Sequence, residues 1–170
     1  PLDLAINNRG FFQIQMPSGE TAYTRNGQFH LNANGDIVNA SGFLLEPSIS
    51  IPENTNNITI SQDGIVSASI LGEPTPQELG QITITDFVNP AGLQALGGNV
   101  FAQTAASGDP QTGTAGESGL GSIIQGSLEN SNVDIVEEMV NMITTQRAYE
   151  MNSKVVSTAD QMLQFISQNL

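Results

Sequence analysis

Residues 132–170 contain neither glycine nor proline, whereas all 17 glycines and all eight prolines lie at or before Gly126. The chain therefore changes polymer type near its end: one part is built for turns, the other for uninterrupted helix. Apolar residues recur at Val136, Met139, Val140 and Ile143, and again at Ala148, Met151, Val155, Ala159, Met162 and Ile166. That three-and-four spacing predicts one long helix with an apolar face. Ser131 or Asn132 is the expected cap, and Asp134, Glu137 and Glu138 place negative charge where the first-turn N–H groups favour it. About 35 helical residues span roughly 50 Å, against about 30 Å for a small domain, so part of such a helix needs a partner beyond its own domain. Thr144, Thr145, Gln146 and Arg147 interrupt the apolar pattern, so it is not one continuous heptad seam.

Upstream, the pattern is short strands separated by turns. Phe11–Met16, Thr21–Arg25, Gln28–Leu31 and Ile37–Val38 are expected strands, separated by Ser18-Gly19, Asn26-Gly27 and Asn34-Gly35. Asn-Gly supplies the positive φ angles of tight hairpins, which predicts an antiparallel meander. Asn57–Ser61 and Ile65–Ile70 flank Asp63-Gly64 as a further hairpin, and Gln81–Phe87 alternates as one strand. Residues 104–121 are almost wholly small or polar and predict a long irregular loop, followed by a short strand at Ser122–Gly126 that rejoins the sheet before the helix. The fold class expected is mainly β, with antiparallel hairpins and one long C-terminal helix. Its division is a β-rich domain over residues 1–131 and a helical assembly segment over 132–170. A chain that starts at Pro1 is also expected to be a fragment or a processed product.

Composition excludes several functions. Seventeen acidic residues against Arg9, Arg25, Arg147 and Lys154 give a net charge of -13, which disfavours nucleic acid and anionic membrane surfaces. With no cysteine, there is neither a disulfide nor a thiolate site. No run of 18 apolar residues exists, so no bilayer-spanning helix is expected. The single histidine, His30, alternates with Phe29 and Leu31 and should face solvent rather than act as a base. The single lysine lies inside the helix, which removes any phosphate-binding Gly-Lys loop. Asn32-Ala-Asn-Gly-Asp36 has the start of a calcium loop but no later bidentate glutamate, and a hairpin turn explains it better. Glu137 and Glu138 have a structural role at a helix start. No catalytic, cofactor or metal residue is assigned. The rival reading from another class is a cell-wall carbohydrate-processing β enzyme or an adhesin. The enzyme would need two carboxyl groups about 5–10 Å apart in one cleft.

Three ordered stretches carry a resemblance. Leu4-Ala-Ile, Gly10-Phe-Phe-Gln-Ile and Tyr23-Thr-Arg-Asn-Gly-Gln-Phe29 open it. Asn99-Val-Phe, Ser107-Gly-Asp-Pro and Gly119–Val133 continue it, and Asn141–Glu150 with Ser157–Leu163 close it. Together they resemble the bacterial flagellar rod and hook axial proteins across nearly the whole chain. A β region of about 130 residues without a large inserted domain is most similar to the distal rod branch, with the proximal rod and hook branches as alternatives. The resemblance implies a structural subunit, not an enzyme. It implies a helical homopolymer, exported by the flagellar type III system, that crosses the periplasm as a drive shaft and forms part of the export channel. Implied partners are other copies, proximal rod and hook subunits, the rod cap and the P- and L-ring proteins. It also implies an N-terminal helix that pairs with the C-terminal one in a coiled coil. By position it assigns Val136, Val140, Ile143, Tyr149, Val155, Met162 and Ile166 to the packed shaft, and Gln146, Arg147 and Glu150 to polar contacts that fix register.

Overall fold

A computed structural model of the chain describes residues 2–73 and 75–168, with side chains through 166. Pro1 and residues 169–170, the outer ends of the expected domains, lie outside the described residues. Two compact units are present, Pro1–Glu129 and Asn130–Leu170.

The first unit is antiparallel β throughout. Its largest sheet centres on β2 (Phe11–Gln15), where Phe12 and Ile14 are fully buried and Gln13 and Gln15 are not, the period-two alternation of a pleated strand. On one side β2 pairs with β3 (Thr21–Thr24), which continues to β12 (Val100–Ala102) and the edge strand β11 (Gln94–Gly97). On the other side its second half pairs with β6 (Leu44–Glu46), followed by β5 (Ile37–Asn39) and β4 (Phe29–Leu31). A second sheet stacks β7 (Thr55–Ile60), β8 (Ile65–Ile70) and β9 (Gln77–Gln81). Side chains from these sheets and from the segments beside them form one apolar core that includes Leu4, Phe12, Ile14, Leu45, Val66 and Ile82. Phe11 turns to a smaller cluster, meeting Phe87 edge-on at 6.0 Å between ring centres, while Tyr23 meets the same ring at 4.8 Å.

Four local expectations are corrected. Asn26-Gly27 is not a hairpin turn: β3 and β4 do not pair, and Gly27 instead lets the first strand, β1 (Leu4–Asn7), pass against its backbone, with Leu4 N–H donating to Gly27 O at 2.9 Å. Gln81–Phe87 is not one strand. At Ile82 the N–H leaves the ladder to donate to Gly64 O at 2.8 Å, so β9 stays in the second sheet and β10 (Thr83–Asp86) joins the first. Continuous alternation of side chains conceals this switch, because both halves bury the same face. Residues 104–121 are not wholly irregular, since β13 (Gln111–Thr114) pairs with β10 through backbone bonds and a Thr85–Thr112 hydroxyl contact of 2.9 Å. The last strand, β14 (Ser122–Gln125), pairs with β1 in a separate two-stranded sheet rather than rejoining the large one.

The second unit carries one helix, α1 (Ile135–Gln168), of 34 residues. Its cap is neither Ser131 nor Asn132. Asp134 accepts from the N–H groups of Val136 (2.9 Å) and Glu137 (3.4 Å), while Ser131 accepts only from Val133 before the helix starts. Glu137 and Glu138 occupy the first turn, where negative charge is favoured.

Candidate assembly surface

The positions with chemical potential in the β body have structural roles. His30 is exposed. Among the described residues no group of three or more His, Cys, Asp or Glu is placed to hold a metal ion. The Asn32–Asp36 stretch is a closed turn: Asn32 Oδ1 accepts from the N–H groups of Asn34 (2.8 Å) and Asp36 (2.9 Å), and Asn32 N–H donates to Asp36 O at 3.0 Å. The Asn32 side-chain oxygen is thus turned to the backbone of its own turn. Two clefts, of about 280 and 460 Å³, each have a single carboxylate in their lining, Glu53 in one and Asp109 in the other. Neither offers the carboxylate pair that glycoside hydrolysis requires.

The Asp36 turn makes a prediction about pH. Its carboxyl accepts from the Ser50 hydroxyl and from Asn32 Nδ2 at 3.2 Å, and these bonds hold its pKa below the ordinary carboxylate value. A carboxyl lowered in the folded state contributes stability that is present above the unfolded pKa and lost as pH falls through the folded one. Asp36→Asn should therefore lower the melting temperature at neutral pH and by less in acid, so the two proteins converge as pH falls. A constant gap across an acid titration of melting temperature would contradict this.

The second unit has a different character. Every α1 residue whose side chain is described is exposed, including Val136 at 69 %, Ile143 at 46 %, Val155 at 68 % and Phe165 at 70 %. Exposed apolar side chains therefore recur along the described length of α1. The helix continues without a break through Thr144–Arg147, where the hydroxyls of Thr144 and Thr145 donate back to Asn141 O at 2.9 and 2.8 Å. That continuity alters the expected single stripe. At about 3.6 residues per turn, Val136, Val140 and Ile143 share one side, whereas Val155, Met162 and Ile166 share another, and Tyr149 lies on neither. Gln146, Arg147 and Glu150 fall where one set gives way to the other.

Arg25 stands in the sequence only as one of four basic residues and as part of a motif. Arg25 donates from Nη1 to the carbonyls of Asn8 (3.1 Å) and Gly10 (3.0 Å), from Nη2 to those of Ile6 (3.3 Å) and Asn8 (3.1 Å), and from Nε to Glu129 at 2.8 Å. A planar fork of donors suits this task. Nothing local in the sequence signals it, because most acceptors are backbone atoms of β1 and of the β1–β2 connection.

An antiparallel β body with structural polar networks, and a long helix with its described apolar residues exposed, are the features of this chain. Residues 5–68 match the family described as the flagellar hook protein FlgE/F/G D1 domain, and residues 124–169 match the flagellar basal body rod FlgEFG protein C-terminal region. The chain is 54 % identical over 168 residues to the flagellar basal-body rod protein FlgG of Caulobacter vibrioides, covering 99 % of this chain and 64 % of that protein. It is 38 % identical over 168 residues to the FlgG of Bacillus subtilis, covering 96 % and 63 %. To the flagellar hook protein FlgE of Salmonella typhimurium it is 43 % identical over 112 residues, covering 66 % and 28 %. The chain belongs to the flagellar rod and hook protein family, a family of structural proteins and not of enzymes. It spans a little under two thirds of the length of the rod relatives it matches.

Proposed function

We propose that this chain is the larger part of a structural subunit of the flagellar basal-body rod, most like the distal rod protein. Copies polymerise into the helical shaft that crosses the periplasm, transmits torque to the hook and encloses part of the export channel. The observation that carries this reading is the extent of the likeness to basal-body rod proteins, which runs over 99 % of the chain in Caulobacter vibrioides, whereas the hook likeness covers 66 %. The exposed apolar residues of α1 supply the physical means, since helix association buries such surface. Partners are other copies of the same subunit and the adjoining rod and hook subunits. The rod cap and the P- and L-ring proteins are further partners of the same reading, and type III export is its route of delivery. Among the described residues no helix is long and apolar enough to cross a membrane.

The assembly residues are Val136, Val140, Ile143, Tyr149, Val155, Met162 and Ile166 as packed groups, with Gln146, Arg147 and Glu150 as polar contacts. Ile143→Asp in the full-length protein is the test. A carboxylate at a packed helix position is left unpaired and desolvated, at a cost of about 3–5 kcal/mol per contact. Rods should vanish from electron micrographs of basal bodies, while the melting temperature of the β body stays unchanged. Normal rods in that variant would overturn the assignment.

A further inference from the structure

Main-chain bonds tie down the end of the β body as far as Gly126, whose N–H donates to Asp3 O at 2.7 Å beside the β1–β14 pair. From there to Asp134 the chain is exposed and has no regular secondary structure, and α1 starts at Ile135. Among the described residues no N–H of 127–134 donates to a main-chain oxygen. Such a stretch has little to hold it. One side chain in it is held all the same: Glu129 Oε2 accepts from Arg25 Nε at 2.8 Å, across 104 positions of sequence.

Arg25 is prepared for this carboxylate before it arrives. Its Nη1 and Nη2 donate to the carbonyls of Ile6, Asn8 and Gly10, and its Cζ lies 6.0 Å from the centre of the Phe11 ring. A planar guanidinium fixed at two nitrogens has no freedom left at the third, so Nε–H keeps its direction whether or not Glu129 is present. Closing the contact orders only the glutamate and the residues between it and Gly126. Opposing effects then come close to balance. The bond is charge-assisted and short, but the arginine and glutamate side chains are 30 % and 44 % exposed, so water and salt compete for both. A chain of net charge -13 also repels its own exposed carboxylates. A half-exposed pair of this kind favours its closed state by no more than about fivefold, which the surroundings can reverse.

We propose that Ser127–Glu129 is a strap, latched to the β body by Arg25 at low ionic strength and released at high, which gives the tether before α1 two lengths. With the latch closed, residues 130–134 are free, a reach of about 17 Å at roughly 3.4 Å per residue. With it open, residues 127–134 are free and the reach is about 27 Å. The strap and Arg25 belong to the same compact unit, which ends at Glu129. Release leaves that unit intact, because the arginine keeps its bonds to the three carbonyls. None of these residues is among those assigned to the packed shaft, so the latch goes beyond the rod reading and does not depend on it.

The sequence has no cysteine, so Ser127→Cys in the whole chain gives a single thiol, and a nitroxide attached there reports strap mobility by electron paramagnetic resonance. At about 10 mM salt, where charges are screened over about 30 Å, the slow, immobilised component should be the larger. At about 1 M, where screening acts over about 3 Å, the fast component should dominate. Adding Glu129→Ala should give the fast spectrum at both salt concentrations, with the thermal transition of the β body nearly unchanged. The Nε–H resonance of Arg25 is the second readout, in a chain with only three arginines. In the unlabelled chain it should shift on Glu129→Ala, and in the same direction when salt is added to the parent. A fast spectrum at low salt, or a slow component that survives 1 M salt or Glu129→Ala, overturns the latch. An Nε–H resonance unmoved by Glu129→Ala overturns it too.

Discussion

Gly27→Ala should abolish cooperative folding of the β body. A Cβ at this position would fall on the Leu4 carbonyl oxygen and 2.6 Å from its carbon, backbone atoms with no rotamer to change. Leu4 is itself core, 1 % exposed, and its N–H is bonded to Gly27 O, so β1 cannot move aside without leaving the core. The loss should exceed about 4 kcal/mol, a large share of the roughly 5–15 kcal/mol that holds a domain of this size. The thermal transition of the β-sheet circular dichroism signal should disappear, and amide dispersion in NMR should collapse. Gly42→Ala is the control. Gly42 has φ +82 but nothing within 4 Å of an added Cβ, so that variant should cost about 1 kcal/mol and melt cooperatively. A cooperative melt for Gly27→Ala close to that of Gly42→Ala would refute the close approach.

Arg25→Met should be the most damaging change at a charged position of the body. The methionine keeps the apolar stem but removes the donors that bind the Ile6 carbonyl of β1 and the Asn8 and Gly10 carbonyls of the β1–β2 connection, where Asn8 and Gly10 have φ of 85 and 129. The half-exposed ion pair with Glu129 contributes about 0–1 kcal/mol, so most of the effect comes from the carbonyls left without their donor. A loss of about 2–3 kcal/mol is expected in denaturant unfolding. Arg25→Lys should recover only part of it, because an ammonium group cannot span Ile6, Asn8, Gly10 and Glu129 together. A methionine variant within about 0.5 kcal/mol of the parent would show that water replaces the guanidinium freely.

Both positions show where reading residues in order stops being sufficient. Gly27 follows an asparagine and carries every local mark of a hairpin turn, yet its use is to admit a strand from more than 20 residues earlier. Arg25 precedes it in the same motif, and its acceptors are main-chain oxygens that have no side-chain signature. β13 carries no mark in the sequence because Gln111, Thr112, Gly113 and Thr114 contain no large apolar group, and the pairing that makes them a strand comes from β10. The break at Ile82 is hidden because alternation continues across it while the hydrogen-bonding partner changes from β8 to β2 and β13.

What the sequence determined by itself is what depends on neighbours along the chain. The absence of Gly and Pro after Gly126 and the acidic first turn are sufficient for an unbroken helix, whose hydrogen bonds all close within four residues. The spacing of strands and turns is sufficient for antiparallel β, and three-and-four periodicity is sufficient to mark the apolar residues of α1. Tertiary structure decided which strands lie side by side, which glycine has no room for a methyl group, and where the arginine fork closes. Those outcomes depend on contacts between residues tens of positions apart, whose energies are set by packing and by backbone groups common to every residue. The same division applies to α1: its periodicity marks which residues are apolar, and its unbroken course through Thr144–Arg147 sets the two apolar groups on different sides of the helix.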